Sequence, residues 1–93
     1  MPLPYPIPFT FAVTEEPTPL HTGLRSEFIA INAPGALSAE PNAAAVNIKT
    51  AFDATGIDLY PGEMTTFEGI DLASLTITGT TGDSLVISGE AKV

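Results

Sequence analysis

From Pro2 to Phe9 proline alternates with large apolar residues, Pro2-Leu3-Pro4-Tyr5-Pro6-Ile7-Pro8-Phe9, a period of two that suits an extended chain. In such a chain successive backbone N–H groups point to opposite edges. Proline at every second position therefore silences one edge and leaves the donors of Leu3, Tyr5, Ile7 and Phe9 on the other. Side chains alternate in step, with the large apolar groups on one face and the pyrrolidine rings on the opposite one. The segment reads as a stiff, one-sided arm built to lie on something, and Leu3, Tyr5, Ile7, Phe9 and Phe11 read as its partner-binding residues. Phe9 to Thr14 continues the alternation and predicts a first strand, so the arm runs into the fold. Glu15-Glu16-Pro17-Thr18-Pro19 follows as a polar connector.

Beyond His21 the pattern is one of short apolar runs between turn residues. Phe28-Ile29-Ala30-Ile31 predicts a strand buried on both faces, stopped by Ala33-Pro34-Gly35. Ala36 to Ala45 tolerates helix, but Pro41-Asn42 interrupts it, leaving a loop with at most one helical turn. Val46 and Ile48 mark a short strand, Asp53 to Gly56 a turn, and Ile57 to Tyr60 an extended piece. Pro61-Gly62 supplies the two central positions of a type II turn. Met64 to Glu68 predicts a strand and Gly69 to Ala73 a connection. Leu75 and Ile77 alternate with Thr76 and Thr78, as a half-buried strand should. Gly79 to Asp83 is a hairpin loop, and Ser84 to Ser88 returns with Leu85 and Ile87 inside. About six or seven short strands at this spacing predict an all-β chain, a small antiparallel β-sandwich or barrel with an extended Pro-rich N-terminal arm. Residues 1–20 form the arm and connector, and 21–93 the β-sandwich domain.

Composition sharpens this picture where it removes alternatives. With 93 residues, no cysteine and a single histidine, the chain builds a thin core without disulfides. Domains of this size seldom gain more than about 3–5 kcal/mol from the core alone, which points to self-association or docking on a partner. Eleven acidic residues against three basic ones give a net charge of −8, which repels phosphate backbones and anionic lipid surfaces, so neither nucleic acid nor membrane is expected as a partner. No secretion signal and no membrane span is expected. Asp58, Glu63, Glu68, Asp71 and Asp83 lie in or beside turns, where carboxylates cap nearby backbone N–H groups. Oxygen ligands for calcium could gather at such turns, but no twelve-residue calcium loop is present, so no metal and no cofactor is expected. His21, between Pro19-Leu20 and Thr22-Gly23, is a poor base for a nucleophile, and no catalytic residue is assigned: the chain is read as non-enzymatic.

The segment from Ala45 to Ser88 carries a rhythm of its own: Val46-Asn47-Ile48, Ala54-Thr55-Gly56-Ile57-Asp58-Leu59-Tyr60-Pro61-Gly62-Glu63, Leu72-Ala73-Ser74-Leu75, Gly82-Asp83 and Leu85-Val86-Ile87. It resembles small structural proteins of tailed bacteriophages, in particular the β-sandwich domains of capsid decoration, cement and head-fibre proteins. The aromatic residues usual near the last two strands of such domains are replaced here by Leu75-Thr76-Ile77. The resemblance implies a virion structural protein on the capsid surface, made in the host cytoplasm, whose partners are the major capsid protein or other virion subunits and copies of itself. On that reading the chain is a decoration or cement protein docking through its arm. The alternatives are a receptor- or glycan-binding module of a head fibre or tail spike, with Phe52 and Tyr60 as loop aromatics, and a neck or tail connector subunit.

Overall fold

Inward-facing aliphatic side chains two residues apart on neighbouring strands meet in one cluster: Ile29 and Ile31, Leu85 and Ile87, Val46 and Ile48, with Leu59, Leu72, Leu75 and Ile77. Each is worth about 1.5–3 kcal/mol when fully buried, and the alternation that collects them dictates strands. The computed structural model describes residues 4–22, 25–51 and 55–92. They form β1 (Pro4–Ala12), β2 (Thr18–Pro19), β3 (Arg25–Asn32), β4 (Val46–Lys49), β5 (Ile57–Leu59), β6 (Met64–Glu68), a 3-10 turn (Leu72–Ser74), β7 (Thr76–Thr78) and β8 (Ser84–Lys92). The strands pair antiparallel in two four-stranded sheets, ordered β1-β8-β3-β6 and β2-β7-β4-β5. The fold is thus an all-β sandwich of two separate sheets, and not a closed barrel.

The predicted arm and connector supply an edge strand to each sheet. β1 pairs with β8 from Pro4↔Lys92 to Ala12↔Ser84. The chain then crosses over, and Thr18–Pro19 pairs with Ile77 and Thr76. Gly79 N–H to the Thr14 carbonyl (3.0 Å) and Leu20 N–H to the Leu75 carbonyl (2.9 Å) hold the crossing segment at both ends.

Two strands depart from expectation. β3 is buried on one face and not on both: Ile29 and Ile31 are inside, while Phe28 is exposed and Ala30 half-buried. The first sheet has a second layer on its inner side alone, so even-numbered positions of this central strand meet solvent. β8 runs on past Ser88 through Gly89, whose φ of +124° suits glycine. Opposite it the β3 register shifts between Ser26 and Phe28, a bulge at Glu27 whose carbonyl accepts from Gly69 N–H at 3.3 Å. A Cβ at Gly89 would lie 2.2 Å from the Phe28 carbonyl oxygen, so the bulge and the glycine fit one another.

The Pro-Gly turn is as predicted. Gly62 takes φ +90°, and Glu63 N–H reaches the Tyr60 carbonyl at 2.9 Å. The Ala36–Ala45 stretch is a loop without a helix among the described residues.

Candidate functional site

One hydrogen bond fixes the parity of the N-terminal strand. Val13 N–H donates to the Asp83 carbonyl at 3.0 Å, continuing the β1–β8 register by one residue. In an antiparallel pair, donors alternate between the two edges, so odd positions of β1 address β8 and even positions face away. Pro4, Pro6 and Pro8 are even, registered against Lys92, Glu90 and Ser88. Their ring nitrogens fall where no donor is needed, and the outer edge there carries carbonyl acceptors alone. The pairable edge of the arm is occupied by the chain's own last strand.

Of the five residues expected to bind a partner, Phe9 and Phe11 are half-buried and pack against this chain's own aliphatic core. Leu3 lies outside the described residues, as do the side chains of Tyr5 and Ile7; the backbone of the latter two is in β1. Val13, one residue past the strand, is fully enclosed. His21 stands beside Phe9, ring centroids 5.8 Å apart and planes at 63°, an edge-on contact in which the imidazole serves as an aromatic neighbour. The β1–β8 ribbon is longer than any strand of the second sheet among the described residues. Nine-residue strands span about 30 Å, whereas the longest strand of the second sheet, Val46–Lys49, spans about 13 Å.

The carboxylates at turns mostly accept from N–H groups. Asp71 caps the 3-10 turn through Ala73 N–H (3.0 Å), Glu63 Oε1 accepts from Tyr60 N–H (2.7 Å), and Asp58 Oδ1 from the Asn47 amide (3.0 Å). Asp83 does something the local reading missed. It is buried and reaches across the fold to Ala43 N–H (2.9 Å) and Ala44 N–H (3.2 Å). Buried Asn42 completes the attachment, donating to the Ser84 carbonyl (2.7 Å) and accepting from Ser84 N–H (2.8 Å), as a strand residue would. Together they pin the long 33–45 loop to the start of β8. No sequence signal separates an aspartate that caps its own turn from one that caps a loop forty positions away. Among the described residues no group of three or more His, Asp or Glu gathers at metal-binding distance, no cavity is found, and no helix is long and apolar enough to cross a membrane.

The pinned loop and the Pro-Gly turn share one end of the sandwich. Gly62 N–H bonds the Ala33 carbonyl (2.7 Å), Ala33 N–H bonds the Glu63 carbonyl (2.9 Å), and a Cβ on Gly35 would come within 2.8 Å of the Gly62 Cα. Leu37, Tyr60 and Met64 are all exposed in this region. Tyr60 was foreseen as a loop aromatic, and Phe52 lies outside the described residues. Leu37 and Met64 were missed; an isolated leucine between Pro-Gly and Ser in a loop of small residues is the signal that marks the first. Comparison with protein-family models, with curated proteins and with solved structures gives no match.

Proposed function

We propose that the chain is a non-enzymatic virion structural protein, a capsid decoration or cement protein that is made in the host cytoplasm, forms homo-oligomers and docks on the major capsid protein or a neighbouring virion subunit. The observation that carries this reading is the ribbon of β1 and β8, longer than any strand of the second sheet among the described residues, with its outer edge stripped of donors at Pro4, Pro6 and Pro8. A ribbon of this kind does not recruit further strands at random, yet it offers a long flat surface to a partner. Phe9 and Phe11 anchor it to the core, and Leu3, Tyr5 and Ile7 carry the docking. The two-sheet sandwich agrees with the fold the phage resemblance implies.

The test replaces Leu3, Tyr5 and Ile7 together by serine and measures retention on purified particles that carry the chain. Retention is expected to fall at least tenfold while the circular dichroism of the isolated protein keeps its β signature. Unchanged retention overturns the docking role. A second reading, a receptor- or glycan-binding module, is favoured by exposed Tyr60 and Leu37 on a loop end held rigid by Asn42 and Asp83. Copy number separates the two: decoration covers the capsid lattice, whereas a fibre, spike or connector occupies a single vertex or ring.

A further inference from the structure

A sandwich of two open sheets has four edge strands, and three of these are interrupted or cut short by proline. β1 loses its outward donors at Pro4, Pro6 and Pro8. β2 is two residues long, ends in Pro19 and follows Pro17. β5 is three residues long and runs through Tyr60 into Pro61. β6 is different: five residues, Met64-Thr65-Thr66-Phe67-Glu68, with neither proline nor a basic residue. The Ala33 N–H bond to the Glu63 carbonyl sets its parity, so Thr65 and Phe67 address β3 at Ile31 and Ile29, while the N–H and C=O groups of Met64, Thr66 and Glu68 point away from the sheet. Among the described residues no strand lies beyond them.

We propose that β6 is the self-association edge of this protein and that its occupant is β6 of a second copy, paired antiparallel about a two-fold axis through Thr66. Three observations favour a second copy. The outward groups are self-complementary: with Thr66 facing its counterpart, Met64 of each chain faces Glu68 of the other, so every outward donor meets an acceptor and no two carboxylates stand opposite. The outer edge of β1 lacks donors at Pro4, Pro6 and Pro8 and keeps them only at Thr10 and Ala12, so it matches β6 less well than a second β6 does, and pairing closes at two copies instead of growing into a filament. The joined sheet also ends at both sides in β1, whose outward donors are missing at Pro4, Pro6 and Pro8. Exposed Met64 and Phe28 lie on the outer face beside the seam: Phe28 is registered against Glu68, and Met64 against Asn32.

The seam is short, which places the dimer at the weak end of protein interfaces. The net charge of −8 on each copy opposes it, so added salt strengthens the dimer by screening that repulsion. This deepens the oligomeric part of the function proposed above and does not depend on the particle: losing the dimer leaves arm docking testable, and losing arm docking leaves the dimer testable.

The experiment is sedimentation equilibrium of the full chain over a concentration series at low and moderate salt, with Thr66→Pro and Thr66→Glu beside it. The expected result is a twofold rise in mass with concentration, steeper with salt and absent in both variants. Thr66→Glu keeps the backbone and sets two carboxylates face to face, so it reads the seam should the proline variant fail to fold. Amide exchange gives an independent measure: Met64, Thr66 and Glu68 slow with concentration while the rest of the sheet does not change. A monomer at every concentration, or a dimer that Thr66→Glu leaves intact, overturns the proposal.

Discussion

Glycine 89 shows how one residue governs a strand. Its φ of +124° is strained for any L side chain, and a Cβ there would sit 2.2 Å from the Phe28 carbonyl oxygen. Gly69 also has a positive φ, +61°, but a Cβ there meets nothing within 4 Å. Gly69→Ala should therefore cost about 1–2 kcal/mol, the left-handed penalty alone. Gly89→Ala adds a backbone collision that has no flexible side chain to give way, and its cost should exceed that of Gly69→Ala by more than 1 kcal/mol. Urea unfolding of the two variants checks the order. Equal costs would mean that the bulge at Glu27 adapts and does not depend on the glycine. None of this was legible in the sequence, where Ser88-Gly89 reads as a strand end because glycine more often stops a strand than carries one through a bulge.

At the scale of elements, proline parity makes β1 testable position by position. Pro8 faces away from β8, so Pro8→Ala restores an outward donor and should change stability by less than about 1 kcal/mol, an effect of the unfolded chain. Ile7 is odd, registered against Gly89, and Ile7→Pro removes a donor aimed at β8; the loss should be about 1–3 kcal/mol, read by thermal unfolding. The reverse order would mean that the strand pairs in the other parity. The elements themselves were largely legible. Met64–Glu68 is found at its predicted bounds, and the Pro61-Gly62 turn keeps its geometry, because both rest on local patterns. β2 was not foreseen, since two residues ending in proline make no periodic signal, and Phe28 on the outer face broke the expectation of a strand buried twice.

For the whole molecule the decisive feature is the pairing of the first strand with the last, from Pro4↔Lys92 to Ala12↔Ser84. Alternating proline announced that one edge of the N-terminal segment is pairable. It carried no information on which strand fills that edge, because the partner lies at the far end of the chain and no turn joins the two. The same limit applies to the loop end, where Asp83 and Asn42 tie together segments that sequence reading handles separately. The chain has no cysteine of its own, so an introduced pair reports this topology without background. Thr10 and Val86 are registered opposite each other at a position whose donors do not face one another, a pair whose Cα separation of about 4.5 Å suits a disulfide. Thr10→Cys with Val86→Cys, oxidised and run under denaturing, non-reducing conditions, should give a cross-linked chain of monomer mass. A disulfide-linked dimer would place the arm on another copy, and no cross-link at all would remove β1 from the sheet.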